Sequence, residues 1–211
     1  MFILKKDIDK KTVAQFDPVL FEGRIITVLS PSEAERAVAF LERQERVGID
    51  TETRPSFAKG HVNKVALLQV STLDTCFLFR LNMTGLTQPL VHFLQSEKPL
   101  KIGLSLKDDI SRLKQKGDFT PAGFLELQQY VSQMGVEAMS LQKIYALLFG
   151  QKISKSQRLS NWEADVLTDA QKAYAATDAW ACLRIYEKLE SLRQSGDYEI
   201  EDTEIYECEE E

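Results

Sequence analysis

The sequence predicts an α/β fold, a mixed sheet with three leading antiparallel strands flanked by helices. Residues 47–53, 64–71 and 75–80 are β-type runs, and only Thr72-Leu73-Asp74 separates the last two, a hairpin spacing. A helical pattern precedes them, with Ala34, Val38 and Leu41 on one face. Helical periodicity then dominates as far as Leu192.

In chain order, residues 24–30 are rich in Ile and Val and read as a short strand, after which Pro31-Ser32 opens the first helix. The three antiparallel strands follow, then a helix over 86–94, a short strand over 100–104, and the long helical remainder. With 211 residues, 44% of them hydrophobic, the chain is long enough for one domain to bury its own core. The net charge of -6 argues against a strongly basic protein, but it is unevenly placed: no base follows Arg193, while nine acids do. Removing that acidic end leaves the rest net positive. The expected division is a domain over 1–194 and an acidic segment over 195–211, read as disordered and as a candidate docking segment for a protein partner. Three cysteines with no C-x-x-C pair fit neither a disulfide framework nor structural zinc. The N-terminus turns polar after three apolar residues and no apolar run approaches spanning length, so a soluble, cytoplasmic protein without a membrane partner is expected.

Four carboxylates and a tyrosine stand out. Strand alternation over residues 47–53 puts Val47 and Ile49 on one side and Asp50 and Glu52 on the other. Two adjacent carboxylates repel, so either a cation neutralises them or that face of an edge strand is wet. In the helix after Gly103, Leu106, Ile110 and Leu113 mark the buried stripe. Asp109 lies roughly 65° from the stripe's centre and Asp108 roughly 165° away. Asp109 therefore borders the core, as a functional acid or as a first-turn acid favoured by the helix dipole. Ser105 and Asp108 resemble a capping box, which would give Asp108 a structural role. The last helix has a core stripe reading Ala175, Asp178, Cys182, Ile185 and Leu189. A carboxylate there must be protonated, hydrogen-bonded, paired with a base or bound to a metal. Tyr174 sits one turn before it, on the same face.

Together these segments resemble the DEDD superfamily of 3′-5′ exonucleases, the DnaQ-like branch of the ribonuclease H-like fold. The tyrosine-bearing subgroup that includes ribonuclease D and the Werner syndrome exonuclease domain is the nearest. Its first motif matches Gly48-Ile49-Asp50-Thr51-Glu52, with Lys64-Val65-Ala66-Leu67-Leu68-Gln69 as the next strand. The second matches Lys101-Ile102-Gly103-Leu104 through Asp109-Ile110-Ser111-Arg112-Leu113, which also selects Asp109 over Asp108. The third matches Tyr174-Ala175-Ala176-Thr177-Asp178-Ala179, preceded by Leu159-Ser160-Asn161-Trp162-Glu163. The chain departs from the pattern at Thr53, where relatives often carry a larger residue.

The resemblance implies a metal-dependent enzyme that releases nucleoside 5′-monophosphates from the 3′ end of DNA or RNA. Asp50, Glu52 and Asp178 would hold one divalent ion, Asp50 and Asp109 a second, and Tyr174 would orient the attacking water. An all-oxygen donor set suits Mg²⁺ or Mn²⁺, with no need for His61 or His92. Bases mixed with aromatics suggest single-strand contacts at Arg54 and Phe57 and at Lys155, Arg158 and Trp162, although Trp162 serves equally well as core filling. The alternative is a catalytically inactive nucleic-acid-binding or scaffolding module of the same fold.

Overall fold

The structure is a computed structural model describing residues 1–55 and 63–201. Its elements run β1 (Phe2–Lys5), α1 (Lys10–Gln15), β2 (Asp17–Val19), β3 (Arg24–Val28), α2 (Pro31–Leu41), β4 (Arg46–Thr53), β5 (Val65–Ser71), β6 (Thr75–Phe79), α3 (Leu81–Thr84) and α4 (Gln88–Gln95). They continue with β7 (Leu100–Gly103), α5 (Leu106–Lys114), β8 (Phe124–Glu126), α6 (Leu127–Gln133), α7 (Leu141–Phe149), β9 (Gln151–Ile153), α8 (Asp169–Ser195) and β10 (Tyr198–Glu201). The main sheet has six strands in the order β3-β6-β5-β4-β7-β8. β4, β5 and β6 are antiparallel, while β3, β7 and β8 join in parallel, which makes the sheet mixed as predicted.

Helices cover both faces. One face packs Leu67, Leu78 and Ile102 against α6, α7 and α8, and the other packs Val47, Ile49 and Leu68 against α2, α4 and α5. The α2 stripe predicted from spacing is buried at Ala34, Val38 and Leu41, behind a Ser30–Glu33 capping box with Pro31 at the first helical position. α8 is 27 residues long, starts at a Thr168–Gln171 capping box and is buried on all sides from Tyr174 to Leu183. It packs directly on β4, where Gly48 lets the backbones meet: a Cβ there would lie 1.8 Å from the Ala179 carbonyl oxygen.

Three short pairings lay beyond the reach of sequence periodicity. β1 pairs with β10, β2 with β9, and β8 lies at the sheet edge, each only three or four residues long. Such strands are too short for alternation to register. The predicted disordered segment from residue 195 is corrected at its start. α8 runs through Ser195, turns at a left-handed Gly196, and Tyr198–Glu201 form a parallel ladder with Phe2–Lys5. The acids there face water while the backbone is paired, and the Met1 amino group contacts Asp197 at 3.1 Å. Residues 202–211 lie outside those described. Among the described residues no helix is long and apolar enough to cross a membrane.

Candidate active site

β4 supplies the first two acids. As alternation requires, Val47 and Ile49 lie in the core on the α5 side, while Asp50 and Glu52 face α8. There they meet Asp178, and one carboxylate oxygen from each of Asp50, Glu52 and Asp178 lies within 4.8 Å of the others. Glu52 and Asp178 are only 9% and 8% exposed.

Asp109 arrives from the opposite face of the sheet. β7 pairs with β4 only over Arg46–Gly48, so the second half of β4 has no strand neighbour on that side. The chain leaving β7 turns into α5 beside this open edge, and the Thr51 hydroxyl donates to Asp109 Oδ1 at 2.6 Å. Thr51 alternates with the two acids and so points toward α5, a partner that strand periodicity places correctly but does not single out. Asp109 is half-buried and Asp108 exposed, as the helix phase predicted. The capping role expected of Ser105 and Asp108 is not what the structure shows. Ser105 is left-handed, with φ 62°, and its side chain makes no cap. The N–H groups of Ser105 and Leu106 instead donate to Glu126 at 2.9 and 2.7 Å, because β8 brings that carboxylate alongside. Glu126 was missed because only the β7–β8 register, Gly103 opposite Glu126, places it there.

Electrostatics sets these acids apart. Burial pushes Asp50 far above the ordinary carboxylate range, and repulsion from Asp109, Asp178 and Glu52 adds to it. Burial first, then repulsion from Asp178 and Asp109, lifts Glu52 to about 9. Asp178 is raised to about 7 by burial, against the opposing pull of the Tyr174 hydroxyl and the Lys155 charge. Asp109 rises to about 6 by burial, tempered by the Thr51 hydrogen bond and Arg112. A set of crowded, buried, oxygen-only donors short of positive charge fits hard divalent cations such as Mg²⁺ or Mn²⁺.

The sign of the resulting pH dependence follows directly. Each folded-state value exceeds that of the unfolded chain, near 4, so the metal-free fold loses stability progressively as pH rises from about 4, until each group passes its own folded-state value of about 6 to 9. A cation removes the repulsion and competes with protons. The expected result is a Mg²⁺-induced rise in melting temperature that grows between pH 6 and pH 8.5 or so, measured by thermal denaturation with and without EDTA. A rise independent of pH would mean that these carboxylates do not share the ion.

Tyr174 is 8% exposed and lies one helical turn before Asp178, where its hydroxyl pulls the Asp178 carboxyl downward against burial. Burial and the neighbouring acids raise its phenol above the ordinary range, so it stays protonated. Trp162 packs against its ring at a centroid distance of 6.0 Å. Trp162 is 0% exposed, which corrects its assignment as a substrate-stacking residue: it is core, supporting Tyr174. Lys155 and Arg158 do line a groove of about 290 Å³ together with Ser105, Gln128, Tyr174 and Asp178. Arg54 is exposed and paired with Glu163 at 3.3 Å. Phe57 and His61 lie outside the described residues, and His92 is on the surface beside Glu42, 3.8 Å away.

A family model described as 3′-5′ exonuclease matches residues 25–193, an extent that contains all four acids and Tyr174. The chain belongs to the 3′-5′ exonuclease family. Among relatives of this exonuclease-family chain, the mouse bifunctional 3′-5′ exonuclease/ATP-dependent helicase WRN is 34% identical over 152 residues, 69% of this chain and 11% of that protein. An Arabidopsis thaliana 3′-5′ exonuclease is 29% identical over 188 residues, 86% of this chain and 62% of its own length. The chain thus spans less than two thirds of either relative. The Nibbler EXO domain of Aedes aegypti has the same fold, with a TM-score of 0.75 at 23% identity, over 84% of this chain and 92% of that one. So does Trypanosoma brucei RNase D in complex with RNA U12, at a TM-score of 0.69 and 17% identity, covering 85% and 64%.

Proposed function

We propose that this chain hydrolyses phosphodiester bonds at the 3′ end of DNA or RNA, releasing nucleoside 5′-monophosphates with the help of two divalent ions. The observation that carries the reading is the convergence of Asp50, Glu52 and Asp178 within 4.8 Å, with Asp109 held at the edge of the same strand by Thr51. Asp50, Glu52 and Asp178 would hold one ion, and Asp50 and Asp109 would hold the other. When bound, such a pair acidifies a water and neutralises the entering and leaving oxygens of an in-line displacement.

The chain's own groups do the rest. Tyr174, kept protonated by its surroundings, donates to Asp178 and accepts from the attacking water, so it orients that water without acting as a base. Lys155 and Arg158 sit on the groove wall beside Tyr174 and Asp178, where they bind the phosphates of the terminal nucleotides. RNase D in complex with RNA shares this fold, and phosphate contacts of this kind suit either backbone, so DNA and RNA are both retained as substrates.

The test is degradation of 5′-labelled single-stranded DNA and RNA in Mg²⁺, Mn²⁺ or EDTA. A metal-dependent ladder supports the reading, and intact polymers under every metal condition overturn it. Asp108→Ala is expected to keep most of the rate, within about threefold, because Asp108 is exposed and its neighbour makes the Thr51 contact. A loss equal to that of Asp109→Ala would show that the helix phase is wrong.

A further inference from the structure

The entry to α5 is held in an unusual way. Ser105 is the one described non-glycine residue with a left-handed backbone, φ 62° and ψ 34°. The first N–H groups of a helix need acceptors, and here the Ser105 hydroxyl does not reach them. Both oxygens of Glu126 do, at 2.9 Å from Ser105 N and 2.7 Å from Leu106 N. The first of those oxygens also accepts from Gln128 N at 3.2 Å, so one carboxylate caps α5 and α6 together.

The consequence reaches the acid cluster. Asp109 lies one turn beyond Ser105, and its direction depends on where the helix begins. A start displaced by one residue rotates every side chain by ~100°, enough to carry Asp109 away from Thr51. Gly103 and Leu106 leave little freedom on the other side, since a Cβ at Gly103 would lie 2.5 Å from Leu106 Cδ2 and 2.9 Å from the Ile49 carbonyl oxygen. Glu126 therefore fastens the turn from which α5, and Asp109 with it, departs.

We propose that Glu126 is a positioning residue: by clamping the left-handed Ser105 turn through two backbone amides, its carboxylate fixes the phase of α5 that presents Asp109 to a divalent ion. The inference rests on the exonuclease reading for the assignment of Asp109 to a metal, but its test need not depend on turnover.

The experiment is calorimetric titration of the full chain with Mn²⁺ alone, for wild type, Glu126→Gln and Glu126→Ala, with melting temperatures in EDTA and exonuclease rates measured on the same samples. Glu126→Gln keeps the side-chain length and one acceptor, so it carries the test if the alanine variant does not fold. The expected result is Mn²⁺ affinity weakened by about tenfold or more, the usual effect of losing a group that orients a ligand. The rate should fall at limiting metal and recover in part at high metal, and the KM for nucleic acid should stay the same. A purely structural cap would lower the melting temperature and leave the Mn²⁺ affinity of the folded protein unchanged, and that outcome overturns the proposal. If wild type binds Mn²⁺ more tightly than Glu126→Gln but neither degrades nucleic acid, the positioning role stands and the exonuclease reading fails.

Discussion

Asp178→Asn is expected to lower the exonuclease rate by about 10³-fold or more while raising the melting temperature of the metal-free protein. The two effects have one cause. Asp178 belongs to the group of three carboxylates within 4.8 Å and is 8% exposed, so without a cation its charge is held against burial and against its neighbours. Asparagine keeps an oxygen for the Tyr174 hydroxyl and removes the charge, which relieves the repulsion. The same change takes away a metal-holding oxygen, and metal stabilisation of the transition state amounts to several kcal/mol, each ~1.4 kcal/mol being a factor of ten in rate. Thermal denaturation in EDTA near pH 8 and the labelled-strand assay read the two effects separately. A lower melting temperature would show that Asp178 stabilises the fold as a protonated hydrogen-bond donor. An unchanged rate would remove it from the reaction.

Among the described glycines, Gly48→Ala should be the most damaging substitution. The added methyl would lie 1.8 Å from the Ala179 carbonyl oxygen and 3.2 Å from Leu183 Cβ, and the first contact is with backbone in the most deeply buried stretch of α8. No side chain can turn aside, so β4 and α8 must separate. Overpacking of this kind costs about 1–3 kcal/mol and sometimes more. In a domain of this size, that corresponds to roughly 2–12 °C in melting temperature. Activity should fall further than stability does, because the parted elements carry Asp50 and Glu52 on one side and Asp178 on the other. A displacement near 1 Å at a reacting centre costs on the order of 10²-fold. A folded variant with wild-type metal affinity would show that this contact does not set the spacing of the acids.

The residues that periodicity assigned correctly are those in long, regular elements. The α2 stripe, the alternation along β4 and the choice of Asp109 over Asp108 all follow from side-chain direction, and the structure places each as expected. Trp162 shows the limit. A tryptophan among basic residues has the composition of a stacking platform and equally that of a core residue, and only its enclosure beside Tyr174 decides between them. The start of α5 shows another limit. Ser105 followed by Asp108 has the letters of a capping box, yet a carboxylate 21 residues away in the chain does the capping.

By itself the sequence determined the fold class, the order of the longer elements and which side of its strand or helix each acid faces, because each depends on spacing within a single strand or helix. Bringing the acids together was left to the tertiary structure. Asp50 and Glu52 lie on one face of the sheet and Asp109 on a helix against the other. They share a site only because β7 stops pairing at Gly48 and leaves an edge around which α5 can reach. Strand register, the Gly48 contact and the Glu126 clamp are relations between elements distant in the chain, and no local period encodes them.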